Sequence, residues 1–200
     1  MREAGADDSA TARRWRRSGA ALLAGLLLVV ATAACAVGDS TATAPATTRL
    51  QVYFNNDRLA RDPADCSAVF PVPRTVPKTS GVATAALQQL FTGPTTAERE
   101  AGYRTFFSPA TAGLLKNVRI HNGTAYVNLL DLRASLSGAT SSCGAAEFQS
   151  QVERTLRQFP TVRRVIYAID GEPRTFYEWM NEPCGPANDD CDARPFRGGG

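Results

Sequence analysis

Apolar and polar positions change rhythm several times along this chain, and each change predicts an element. Leu50, Val52 and Phe54 alternate with Gln51 and Tyr53, the period of a strand; order is expected to begin at Arg49, and Asn55-Asn56-Asp57 ends the strand. Residues 58 to 78 read as an irregular excursion that carries Cys66, with Val69 to Val76 a Pro-interrupted extended piece. Thr79-Ser80 then offers an N-cap for a helix to about Thr92, with Val82, Ala86, Leu87 and Leu90 inward and Gly93-Pro94 as its stop. Thr95-Thr96-Ala97-Glu98 has the capping-box pattern of a shorter helical turn, followed by an aromatic cluster of Tyr103, Phe106 and Phe107.

Between Leu115 and Leu132 the local signal is clearest. Asn122-Gly123 is the dipeptide favoured in a two-residue type I′ hairpin turn, because both turn positions need positive φ. Pairing outward sets His121 against Thr124, Ile120 against Ala125, Arg119 against Tyr126 and Val118 against Val127. One face then holds Val118, Ile120, Ala125, Val127 and Leu129; the other holds Arg119, His121, Thr124, Tyr126 and Asn128.

A second main helix is predicted from about Ala145 to Phe159, capped near Ser142. Phe148, Val152, Thr155, Leu156 and Phe159 form its inner stripe, and Glu153 and Arg157 a favourable pair on the wet side. Pro160 ends it. Arg164 to Asp170 reads as a strand with Val165, Tyr167 and Ile169 on one face, turned by Asp170-Gly171, and Arg174 to Met180 as a segment that pairs back or docks its aromatics. The tail after Glu182 looks loop-like. The fold class that follows is α+β: a small antiparallel or mixed sheet with two main helices packed on one face, leaving the outer face to a partner.

Composition alters this picture mainly at the N-terminus. Arg13, Arg14, Arg16 and Arg17 precede an apolar run from Ala20 to Val30, and Ala31-Thr32-Ala33-Ala34-Cys35 follows: a basic start, a short apolar stretch and a small-residue exit, the layout of an export signal. The apolar run is shorter than the roughly 18 to 20 residues of a permanent bilayer span. Five Arg and three acids lie in residues 1–34, so the formal charge falls from +3 for the whole chain to +1 for the remainder. A nearly neutral domain gives no electrostatic reason to expect nucleic acid. Residues 36 to 48 are almost entirely Ala, Thr, Ser, Gly and Pro, a composition that reads as a flexible tether. The expected organisation is a signal over 1–34, a tether over 35–48, a domain over 49–182 and a tail over 183–200.

Two resemblances add function. The segment up to Cys35 resembles the bacterial lipobox, with Thr32 where Leu is commonest; in that family the cysteine becomes the acylated first residue of the mature lipoprotein. Second, the run from Leu114 to Leu129, containing Arg119-Ile120-His121-Asn122-Gly123-Thr124-Ala125-Tyr126, resembles the central hairpin of the GerMN domain, the sporulation and spore germination module. The run from Glu153 to Val165, followed by Ile169-Asp170-Gly171, is similar to its second helix and last core strand. Ser80 to Gly93 fits its first helix and Leu50 to Asn55 its opening strand. The likeness covers roughly residues 49 to 178. It implies an envelope lipoprotein, a fold similar to the ring-building motifs of secretion and sporulation complexes, and no catalytic residues.

Candidate chemistry is sparse. If Cys35 carries lipid, Cys66, Cys143, Cys184 and Cys191 remain, an even set that suggests two disulfides in an oxidising compartment, with Cys184–Cys191 and Cys66–Cys143 favoured by position. His121 is the only His, which argues against a metal site. No cofactor is expected. There is no G-x-S-x-G elbow; Asp131 and Asp170 are the pair one would test for glycan cleavage, although each stands at a strand end. Arg154, Arg157, Arg163 and Arg164 form a candidate partner surface for anionic lipid, wall polymer or an acidic protein. The expected function is a non-catalytic lipoprotein on the outer face of the cytoplasmic membrane, held by Cys35, that binds or scaffolds an envelope protein or cell-wall polymer, with self-association into a homo-oligomer also open. The alternatives are a secreted form, a wall hydrolase using unidentified carboxylates, and an accessory ligand-binding lipoprotein.

Overall fold

A computed structural model describes residues 45–182, 184 and 189–197, all within the compact unit Thr43–Gly200. The predicted signal, Cys35, the tether up to residue 44 and the final glycines lie outside the described residues.

Two three-stranded sheets share the domain, where one sheet was expected. In the first, the order is β2 (Val69–Pro77), β1 (Thr47–Asn56), β3 (Tyr103–Arg104). β1 begins two residues ahead of the predicted Arg49, because Thr47 and Thr48 continue the antiparallel ladder opposite Pro77 and Val76. The second sheet has the order β4 (Leu115–His121), β5 (Thr124–Leu129), β6 (Arg164–Ile169). The hairpin register is the one the Asn122-Gly123 turn predicts, down to Val118 opposite Val127, with a bulge between Leu115 and Asn117. Asn122 and Gly123 take φ of 48° and 83°, as a type I′ turn requires. β6 runs parallel to β5, from Thr124 opposite Arg164 to Leu129 opposite Ile169.

Parallel neighbours need a long crossover, and the helix α3 (Ser142–Arg157) lies within it. Ser141 caps α3, its side chain accepting from the Gly144 N–H. Phe148, Val152 and Leu156 are buried along one stripe. Phe148 sits among Phe107, Tyr167, Phe176 and Trp179 at 5.7–6.4 Å between ring centroids. α1 (Val82–Phe91) starts one to two residues later than the Thr79-Ser80 cap predicts, and Gly81 stands at its N-cap with no side-chain cap. α2 (Thr96–Glu100) has the predicted capping box, with Thr95 and Glu98 bonded reciprocally. The Arg174–Met180 segment docks its aromatics as helix α4 (Pro173–Trp179), burying Phe176 and Tyr177.

The tail departs from the predicted loop. Residues Arg194–Arg197 form a helical turn, α5, that buries Phe196 edge-on against Tyr126, ring centroids 5.5 Å apart. A single aromatic in a Gly- and Asp-rich stretch has no periodicity to reveal it, yet it finds an apolar ring on the outer hairpin face.

Candidate interaction surfaces

Strand register decides which backbone groups face out of each sheet. In β2, Pro71, Pro73 and Pro77 have no N–H to give β1, so the bonding pairs fall on even positions, as the bond from Lys78 N to Ala46 O (2.9 Å) continues. The outward positions are the odd ones, and three of them are proline. That edge cannot extend as a ladder.

The opposite edge of β1 is closed by side chains. Gln51 N donates to Gln158 Oε1 (2.9 Å), and Gln158 Nε2 donates back to Gln51 O (2.7 Å). Tyr53 N donates to Thr155 Oγ1 (3.1 Å), and at Asn55 the two-residue strand β3 takes over. Gln158 thus stands in for a strand residue, satisfying one donor and one acceptor of β1. Deeper in the seam Gln151, fully buried, donates to Asn55 Oδ1 (2.6 Å) and accepts from Thr105 Oγ1 (2.5 Å). Asn55 in turn donates to the carbonyls of Cys66 and Ala68, tying down the excursion before β2. Glu147 pairs with Arg104, which also grips Asp57 (2.9 Å). The sequence reading placed Thr155 on the inner stripe but missed the rest of this polar row. Its signal is present, because Glu147, Gln151, Thr155 and Gln158 recur at helical spacing beside the apolar stripe.

The cysteines lie where this seam begins. Cys66, in the excursion, meets Cys143, in the first turn of α3, with Cα atoms 5.3 Å apart; Cys184 meets Cys191 at 5.7 Å. Both separations suit a disulfide.

The four basic residues of the candidate partner surface are exposed but engage separate neighbours. The Arg154 guanidinium lies over the Tyr53 ring, 5.6 Å from its centroid. Arg157 pairs with Glu153 one turn back (2.8 Å), as predicted, and Arg164 pairs with Asp190. Arg163 packs on the hairpin turn, where a Cβ on Gly123 would fall 2.5 Å from its guanidinium, and reaches Asn122 O at 3.4 Å.

Asp131 and Asp170 are both held by cations. Two side-chain hydrogen bonds and a backbone N–H from Arg133 pull the Asp131 carboxyl down to about 2. Glycan cleavage needs a general acid raised toward neutrality, the opposite direction. Asp170, at φ 50° in the turn after β6, accepts from Lys116 Nζ (3.2 Å). His121 is exposed beside the hairpin turn. Among the described residues no three His, Cys, Asp or Glu side chains converge as a metal site.

The outer rim of the second sheet differs from the first. Ile120 keeps 40% of its surface exposed on edge strand β4. Ile120 also joins Arg119, His121 and Tyr126 of the other face in lining, with Arg194 and Pro195 of the returning tail, a groove of about 410 Å³. Asn128, assigned to this outer face, is 3% exposed because its Oδ1 accepts from the Gly171 N–H (2.8 Å) and locks the turn after β6. Among the described residues no helix is long and apolar enough to cross a membrane.

Comparison with known proteins adds a family. The model of the family described as "Germane: Sporulation and spore germination" matches residues 39–175. The tandem GerMN domains of the sporulation protein GerM from Bacillus subtilis are similar at 21% identity over 63% of this chain and 40% of that one, with a TM-score of 0.44. The first GerMN domain of the same protein is similar at 21% identity over 72% of this chain and 96% of that one, with a TM-score of 0.42. A Clostridium perfringens protein described as a candidate lipoprotein is similar at 16% identity over 62% of this chain and 75% of that one, with a TM-score of 0.37. This chain thus spans well under half of the tandem-domain chain. Among curated proteins nothing matches.

Proposed function

We propose, from the premise that this chain belongs to the Germane family of sporulation and spore germination domains, that it is a non-catalytic lipoprotein of the outer face of the cytoplasmic membrane, whose domain binds or scaffolds an extracytoplasmic protein or cell-wall polymer. Cys35 is the acylated residue in this reading. The short apolar run before it suits export and cleavage rather than permanent spanning.

The observation that carries the binding role is how the domain uses its polar side chains. Four of its buried polar groups, Gln151, Asn55, Asn128 and Glu147, join sheet to helix and turn to strand. The two carboxylates best placed by sequence for hydrolysis are each held by a cation. An enzyme site would instead set acids with raised pKa in a shared cleft.

In-cell crosslinking of the membrane fraction, read by mass spectrometry, tests the binding role: one recurrent envelope partner is the expected result, and release of wall fragments by the purified chain would refute it. For the anchor, Cys35→Ala should leave an unprocessed precursor or free the protein into the medium. A normally cleaved, membrane-retained Cys35→Ala product would exclude acylation.

A further inference from the structure

Three of the sheet edges described above differ in what they offer a partner. The β2 edge lacks N–H groups at Pro71, Pro73 and Pro77, and the β1 edge is filled by Gln158 and Thr155. The third is the outer edge of β4. A two-residue turn makes His121 and Thr124 the bonded pair next to it, so Ile120 and Val118 fall in the alternate pairs whose N–H and C=O groups point away from β5. Among the described residues those groups have no backbone partner. The bulge between Leu115 and Asn117 confines the usable edge to residues 117–121.

We propose that this edge of β4 is a docking strand for an extended peptide segment that alternates apolar and acidic side chains and joins the sheet as a fourth strand. The backbone of such a segment would satisfy Val118 and Ile120. Residues directly opposite across a sheet have Cβ atoms roughly 4.5–5.5 Å apart, so its side chains sort by face. One set lies beside Val118 and Ile120, where apolar groups cover the exposed Ile120 surface. The other set lies beside Arg119 and His121, at the mouth of the groove that Ile120 lines together with Tyr126, Arg194 and Pro195.

Charge selects the acidic partner. β4 carries Lys116 and Arg119 and no acid. Lys116 already meets Asp170, and Arg119 donates to Pro195 O (3.2 Å), so both cations are held near the surface of the strand. A second copy pairing antiparallel through residues 117–121 would bring Arg119 up to its own equivalent, and like charges on facing strands repel. An acidic strand removes that repulsion.

This inference rests on the binding role proposed above and names its surface. The test uses the full chain in a non-ionic detergent and two short capped peptides, one alternating Val and Glu and the other Val and Lys. The Val/Glu peptide should bind at least about tenfold more tightly and slow hydrogen exchange over residues 117–121, but not over 69–77. N-methylation of one alternate set of its amides should abolish binding while methylation of the other set leaves it intact, because only one set faces β4. Ile120→Pro, which removes an outward N–H without touching the β5 ladder, should weaken binding at least about tenfold, and Arg119→Glu should reverse the Glu-over-Lys preference. Equal affinity for the two peptides, binding to neither, protection at β2, or self-association abolished by Ile120→Pro would each overturn the proposal. In cells, an Ile120→Pro chain that still crosslinks the wild-type partner would overturn the β4 edge and leave the scaffold role standing; a wild-type chain with no envelope partner would remove the scaffold role itself.

Discussion

The two sheets manage the same hazard in different ways. An unpaired strand edge invites pairing with any other extended chain. The first sheet closes its edges twice over, with prolines along β2 and with the Gln158 amide and Thr155 hydroxyl along β1. Among the described residues, the second sheet blunts the start of β4 with the bulge at Leu115–Asn117 and leaves the backbone of Val118 and Ile120 facing outward. Where one sheet of a small domain is sealed and the other is not, the open rim is the place to look for function. The contrast also assigns two jobs to α3, which bonds to the first sheet through its polar row and packs on the second through Phe148.

The largest effect should come from the residue both sheets share. Phe148→Ala removes a buried ring that touches Phe107 after β3 and Tyr167 in β6. It should cost about 3–5 kcal/mol in denaturant unfolding, with both sheets still lost in a single transition. Two separate transitions would show that the sheets do not share one core. Next, Gln151→Leu should strain the first sheet alone, costing about 2–3 kcal/mol, because Asn55 and Thr105 lose their partner in a buried seam. Amide exchange should then rise in β1 and the Cys66 excursion and stay unchanged in β4 and β5. A smaller loss of about 1 kcal/mol is expected for Gln158→Ala, whose bonds to Gln51 lie at the surface where water replaces them. Its more telling readout is faster exchange at Gln51; an unchanged Gln51 would mean that the side chain does not close that edge.

The smallest effect concerns acid. Asp131 is depressed from its ordinary 3.8 to about 2 by Arg133. A depressed carboxyl contributes stability above its unfolded pKa and loses it as pH falls through its folded one, so the contribution fades between about pH 4 and 2. Asp131→Asn should flatten that part of the stability-against-pH curve slightly, since the pair is exposed and screened. A steeper acid limb in the Asp131→Asn variant would contradict the assignment.

Most of the second sheet was legible because its signals are local. Asn122-Gly123 permits one register for β4 and β5, and α3 could be placed from its apolar stripe and the Pro160 stop. β2 was readable as extended, but its pairing with β1 across the Cys66 excursion was not, since antiparallel partners that distant leave no short-range mark. The same limit merged two sheets into one and left the parallel pairing of β6 unseen. The edge-closing role of Gln158 was hidden for another reason. A glutamine on a wet helix face reads as solvated until the strand beside it is known. The basic residues made the reverse point: Arg154, Arg157, Arg163 and Arg164 are close in sequence, yet the fold hands each a different neighbour.

Contact with a partner through the open rim of the second sheet can be tested in living cells. A photo-crosslinking residue is placed at Ile120 and, separately, at Thr75 on the proline-lined edge, in the full chain. One recurrent extracytoplasmic adduct is expected from position 120 and none from position 75. Adducts from position 75 alone, or the same adducts from both, would contradict the open rim as the contact surface.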